Sequence, residues 1–231
     1  MTSAEAVPLV AALAARVAEV SGVRLLLVRD PPGADPDART AASVGVWVTP
    51  GRQADYIGAL LELGWSQSSS TPAGVGWGRA VTVCHPTWPT TIEVHRFFPG
   101  FLEDQRIVFE LVWDHHAERT VAGHEVACPD RIRAMVLTAL HEAKAMDRAA
   151  EPEVGAVLLR RAADALTVSE RSALLAFLRA SGAAAAVVDS IPLLAAAPPP
   201  RADSPGARRA WWRRGSGDDV GHAASWRSRP A

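Results

Sequence analysis

Val81–Phe101, VTVCHPTWPTTIEVHRFFPGF, is the stretch whose reading decides the fold. It predicts two short strands joined through the Pro-rich bend His85-Pro86-Thr87-Trp88-Pro89. Side chains two residues apart on a strand share a face. On the second strand, Thr90 to Arg96, Ile92 and Val94 therefore take one face, and Glu93 and His95 take the other. The apolar face seats the strand on a core. The opposite face sets a carboxylate beside an imidazole, about 7 Å apart along the strand. Such a pair is half of a metal or acid–base site. A solvated strand edge with two ordinary polar residues has the same pattern.

Upstream, Glu5 to Val20 predicts a helix, with Val10, Leu13, Val17 and Val20 on one buried face. Ser21-Gly22 ends it. Val23 to Val28, VRLLLV, is an apolar run of strand length, as in a strand covered on both faces. Pro31 to Asp37 is a loop by composition, and Val44 to Val48 a second strand. Thr49-Pro50 is read as a helix start, Thr capping and Pro in the first turn, with the helix running to Leu63 and stopped by Gly64. Ser66 to Arg79 reads as a mobile loop. Its Gly74, Gly76 and Gly78 match no phosphate-binding loop.

Downstream, a helix is expected over Glu103 to Leu111 and a small hairpin around Ala122-Gly123-His124. Pro129-Asp130 opens a helix to Met146. Thr167 and Glu170 form a capping box for a helix over Val168 to Ala180. From Ala195 the composition of Ala, Pro, Arg, Ser and Gly is that of a disordered segment. The element order predicts an α+β domain with a mixed sheet over residues 1–128, a helical region over 129–194 and a basic tail over 195–231.

The chain has 231 residues, 48% of them hydrophobic and 21% charged, with a formal net charge of -1. That balance argues against wholesale nucleic-acid binding. Residues 201–231 hold seven Arg and three Asp, so the part before them is mildly acidic. Trp211-Trp212-Arg213-Arg214 and Trp226-Arg227 in that tail mix rings with cations, a combination that can stack on bases or sit at a membrane surface. Cys84 and Cys128 stand far apart and outside any CxxC motif, so neither a disulfide framework nor a structural zinc site is expected. A reduced, cytoplasmic compartment is the expectation. No stretch approaches the roughly 20 apolar residues of a membrane span.

Several segments, in order, resemble the family often labelled uncharacterised nucleotidyltransferase, within the polymerase-β-like superfamily. They are VRLLLV, then Arg39 four residues before a strand, then VWVTP and a helix ending in LLELGW. HPTWPTTIEVHRFFPGF follows, with Val108 to Trp113, AGHEVACP and finally ALHEAK at Ala139 to Lys144. The likeness covers roughly residues 20–146, and the HPTWP…IEVHRFFPGF block is its most specific part. It implies a nucleotidyltransferase-like mixed sheet flanked by helices. It also implies transfer of a nucleotide from an NTP to a hydroxyl-type acceptor, with Mg²⁺ as cofactor. In that superfamily an Asp-x-Asp pair on one strand face and a third acid from a neighbouring strand hold the metals.

Carried over, the third acid falls on Glu93, and the pair falls on Ser43-Val44-Gly45. Ser43 offers a neutral hydroxyl and Gly45 no side chain. Arg29-Asp30-Pro31-Pro32 stands where a family member has Lys-Gly. The implied site is therefore degenerate, with Ser43, Gly45, His85, His95 and Arg39 around Glu93, and with Asp30, Asp35 and Asp37 as the acids available to substitute. Two function classes follow: a Mg²⁺-dependent transferase with substitute ligands, or a relative that binds a nucleotide or protein partner without catalysis. A third class is a metal-dependent hydrolase built on Glu93 and on His85, His95, His115, His116 and His124, with His85 and His95 brought together by the hairpin. No standard zinc motif and no GxSxG is present.

Overall fold

The computed structural model describes residues 1–29, 43–68, 80–98, 100–146, 154–187 and 191. Asp30, Asp35, Asp37, Arg39, the glycines at 74, 76 and 78, and residues 201–231 lie outside the described residues. The fold is α+β, in two compact units: Met1–Phe98 with Glu103–Thr138, and Pro99–Leu102 with Ala139–Ala231.

In the first unit, α1 (Ser3–Val20) begins two residues earlier than its apolar periodicity indicates. Thr2 and Glu5 form a capping box: the Thr2 side chain accepts from the Glu5 N–H, and the Glu5 carboxylate accepts from the Thr2 N–H at 2.7 Å. Val7, Val10, Ala14 and Val17 form its buried stripe, whereas Val20, expected on that face, is exposed at the last residue of the helix. These are small side chains, and they let a sheet lie close against the helix.

That sheet has five strands: β1 (Leu25–Arg29), β2 (Ser43–Val48), β3 (Ser66–Gln67), β4 (Ala80–Cys84) and β5 (Thr91–His95), in the spatial order β1-β2-β5-β4-β3. β2 and β5 run parallel, and the other neighbours run antiparallel. The period-two rule sorts its side chains cleanly. Leu25, Leu27, Val44, Val46, Val48, Val83, Ile92 and Val94 go to the core shared with α1 and with α2 (Gln53–Glu62), which contributes Tyr56, Ile57 and Leu60. Burying a side chain of this size stabilises by about 1.5–3 kcal/mol, so this face favours the observed register of β1, β2, β4 and β5. The Tyr56 hydroxyl donates to the Ala14 carbonyl at 3.0 Å, and burial pushes its pKa far above the usual phenol range.

Two local expectations are corrected. Thr49 does not cap α2. Its hydroxyl and its N–H both donate to the Arg24 carbonyl, at 3.2 and 3.0 Å, prolonging the β1–β2 pairing. A turn through Gly51 (φ 89) then intervenes, and the N-cap is Arg52, with no side-chain cap bond. The Arg52 guanidinium pairs instead with Asp55 and donates to the Ser21 carbonyl just past α1. Ser66 and Gln67, read as loop, pair with Val83 and Cys84 as β3.

The opposite face of the sheet is covered at one end by α3 (Gln105–Trp113), capped by Asp104. Trp47, fully buried, meets Phe109 edge-on at 5.3 Å. Arg24 lies over the rings of Phe109 and Trp113 and makes a two-pronged salt bridge with Glu110. The chain continues into a hairpin of β6 (His116–Val121) and β7 (His124–Pro129). Ala122 and Gly123 at its tip both have positive φ, 49° and 80°. That is the two-residue turn whose twist matches antiparallel strands.

α4 (Arg131–Met146) opens where Asp130 accepts the Arg133 N–H at 2.8 Å. The second unit carries α5 (Val154–Asp164), α6 (Val168–Ser181) and α7 (Ala184–Val187). The Thr167–Glu170 capping box opens α6 and Gly182, at φ 69, closes it. A Cβ on Gly182 would stand 2.7 Å from the Cβ of Leu102, so both backbone and packing require glycine there. Among the described residues no helix is long and apolar enough to cross a membrane.

Candidate functional site

β5 lies in the middle of the sheet, and its register assembles the polar face row by row. Thr91 sits between Ser43 of β2 and Cys84 of β4. Glu93 sits between Gly45 and Thr82, and His95 between Trp47 and Ala80. Directly paired residues point to the same side, so Ser43, Gly45, Glu93 and His95 share one face, opposite Ile92 and Val94. Neighbouring strands are about 4.8 Å apart. Gly45 is therefore the residue adjoining Glu93 across the parallel pair, and it brings no functional group.

Glu93 and His95 are partly buried, with side chains 29% and 17% exposed, and Glu93 Oε2 lies 3.8 Å from His95 Nε2. That is ion-pair reach but longer than a hydrogen bond. The imidazole stacks on Phe98 at 4.8 Å with 22° between planes. Phe98 in turn meets Trp47 edge-on at 5.0 Å, and the Trp47 indole N–H donates to the Arg96 carbonyl at 3.3 Å. Gln53 of α2 donates to the Val94 carbonyl at 2.8 Å. Rings and amide together set the position of the last two residues of β5 and the bend after it.

His85 is elsewhere. In the antiparallel hairpin Ala80 pairs with His95 and Cys84 with Thr91. His85 and His95 thus sit at opposite ends of the hairpin, on the order of 16 Å apart at 3.3 Å per residue. The expectation that the hairpin draws them together is corrected. His85 belongs to the bend: its Nδ1 lies 3.0 Å from the Thr87 hydroxyl, and its ring packs 5.4 Å from that of Trp65. The remaining histidines are dispersed too. His115 is exposed after α3. His116 Nε2 is 3.0 Å from Glu118 Oε1, and its Nδ1 is 2.6 Å from the Trp113 carbonyl. His124 Nε2 is 3.2 Å from Glu19 Oε1 of α1.

A Mg²⁺ centre of the kind the family resemblance implies needs several hard oxygen ligands in octahedral array. The described residues do not fit it. Glu93 is the one carboxylate on its row, Gly45 supplies no donor, and the Ser43 hydroxyl is neutral and one row away. Among the described residues no three His, Cys, Asp or Glu side chains are arranged to hold a metal ion. The substitute acids Asp30, Asp35 and Asp37, and Arg39, fall outside those residues.

Thr82, the second neighbour of Glu93, and the Trp47–Phe98 support were not singled out from the sequence. Thr82 can be found by counting across the Pro-rich bend once Cys84 is set opposite Thr91. Trp47 alternates with Gly45 on one strand, a placement that period two gives directly.

No protein-family model and no curated protein matches the chain. A solved structure similar to it is the solution structure of the antibiotic-resistance factor ANT(2'')-Ia. The two are 13% identical, with a TM-score of 0.46, and the likeness covers 80% of this chain and 96% of that one.

Proposed function

We propose that the protein is a nucleotidyltransferase-like nucleotide binder that has lost metal-dependent transfer. Nucleotidyl transfer from an NTP to a hydroxyl acceptor is what the ordered motifs between residues 20 and 146 resemble. The observation that carries the loss is the pairing of Gly45 with Glu93, with Ser43 two residues earlier on the same face. Triphosphate and divalent cations together must be held by fixed negative ligands. One carboxylate in place of three leaves the cations under-ligated, and small misplacement of reacting groups costs about 10²-fold in rate.

The test is a pyrophosphate-release assay on the purified protein with Mg²⁺ or Mn²⁺ and each of the four ribonucleoside triphosphates, alongside calorimetric NTP binding. Binding without release is the expected result. Robust transfer abolished by Glu93→Ala would overturn the loss and assign the missing ligands to other acids, Asp30, Asp35 or Asp37 first. Transfer indifferent to Glu93→Ala would place the active centre elsewhere.

A further inference from the structure

The row of the sheet that sets Gly45 beside Glu93 also contains an arginine. We infer that Arg29 holds a phosphate group of the nucleotide directly, in the row it shares with Gly45 and Glu93, without a divalent cation. The inference rests on the nucleotide-binding reading above and adds how the phosphates are held.

Three observations carry it. The first is register. β1 and β2 pair Leu25 with Val48, Leu26 with Trp47 and Leu27 with Val46, but the next residue of β2, Gly45, is met by Arg29 and not by Val28. One extra residue on one strand is a β-bulge, a device common beside active sites. Leu25 and Leu27 belong to the core face, and simple alternation would give position 29 to that face as well. The bulge assigns it to the Gly45 row instead, on the face that carries Glu93.

The second is charge. The row reads Arg29, Gly45, Glu93, Thr82 across four strands. It holds one formal positive and one formal negative charge. With strands about 4.8 Å apart, the Arg29 and Glu93 positions are about 10 Å apart, and Gly45 sets no side chain between them. Fixed carboxylates alone need a cation between themselves and a phosphate, whereas a fixed cation does not. A guanidinium stays charged and offers a planar fork of donors that matches phosphate oxygens. Arg16, Arg24 and Arg52 stand outside this row, each bridged to a carboxylate, of Glu19, Glu110 and Asp55.

The third is the neighbouring row. Ser43 and Thr91 pair directly on the same face, about 7 Å along the strands from Gly45 and Glu93. Their hydroxyls can donate to phosphate oxygens and carry no charge to repel them.

The experiment is calorimetric titration of the full-length protein with ATP and with adenosine, in EDTA and separately in MgCl₂, at neutral pH. ATP should bind in EDTA within about twofold of its affinity in MgCl₂, and adenosine at least about tenfold more weakly, since it lacks the charged hydrogen-bonding group. Arg29→Gln should weaken ATP at least about tenfold, and Arg29→Lys, which keeps the charge without the fork, by less. Arg16→Gln, on α1, should leave ATP binding unchanged. Inorganic triphosphate should displace ATP from the unmodified protein in EDTA, a readout that does not depend on any variant folding. ATP binding that appears only with MgCl₂, ATP no tighter than adenosine, or ATP affinity unaltered by Arg29→Gln would each overturn the inference and leave the nucleotide-binding reading standing. Absence of binding by both ATP and adenosine in both buffers would overturn that reading, and the inference with it.

Discussion

The two faces of the central sheet use the same five strands for opposite ends. On one face, Leu25, Leu27, Val44, Val46, Val48, Ile92 and Val94 are almost wholly buried against α1 and α2. On the other, burial is graded: Trp47 is fully covered by Phe109 and Phe98, His95 is partly covered, and Glu93 more open still. The difference teaches where the stability of this unit and its chemistry are separable. Because the apolar face and the covered end at Trp47 hold the register, residues at positions 43, 45 and 93 can change without unseating a strand. A carboxylate pair can be lost from such a face while the fold persists.

The separation is broken or sharpened by substitution. The largest effect is expected at the closed end of the second face. Trp47→Ala should cost about 3–5 kcal/mol in denaturant unfolding, because it leaves a large cavity beneath Phe109. Ile92→Ala, on the apolar face, should cost about 2–4 kcal/mol. Glu93→Gln, one residue along the same strand, should stay within about 0.5 kcal/mol of the parent. A loss at Glu93 equal to that at Ile92 would mean the polar face is structural, and the comparison would fail.

Gly45→Asp sets a second carboxylate against Glu93. Like charges directly opposite should destabilise by roughly 0.2–1 kcal/mol, and a divalent cation should restore that loss. A chemical unfolding series with and without MgCl₂ reads both changes.

Much of the scaffold was legible in the sequence because its signals are local. The alternation of Ile92 and Val94 with Glu93 and His95, the Thr167–Glu170 box and the Ala122-Gly123 turn each depend on neighbours a few residues apart. What was not legible is non-local. No local signal near Gly45 shows that it pairs in parallel with Glu93, about fifty residues on; the family resemblance alone set the two together. His85 and His95 look close in sequence, yet antiparallel pairing sends them to opposite ends of one hairpin. Thr49-Pro50 has the form of a helix cap, but the Arg24 carbonyl across the strand pair competes for the same hydroxyl, and a turn follows before the helix begins. Ser66-Gln67 lacks strand character and pairs only because Val83 and Cys84 are there to receive it.

The smallest expected effect lies at the margin of the covered end. The Arg24 guanidinium bonded to Glu110 holds that carboxyl below its ordinary 4.5. A depressed pKa means that the folded state binds fewer protons, so the stabilisation is present above the unfolded value and is lost as pH falls through the folded one. Both side chains are nearly half exposed, 40% and 47%, so screening keeps the effect small. Glu110→Gln should lower the melting temperature slightly at neutrality and flatten its decline below about pH 4.5, so that the two proteins converge in acid. An unchanged acid limb would show that the pair contributes nothing measurable.

The most direct measurement is Mg²⁺ titration by calorimetry, comparing the unmodified protein with the Ser43→Asp/Gly45→Asp double variant. The double variant places two carboxylates on the face that carries Glu93, at positions two apart on a strand running parallel to it. If the absence of a carboxylate at 43 and 45 is the reason that the described residues do not fit a Mg²⁺ centre, the double variant binds Mg²⁺ measurably and the unmodified protein gives no binding heat. Equal Mg²⁺ affinity in the two proteins would contradict that and show that the cation, if held at all, is held by other residues.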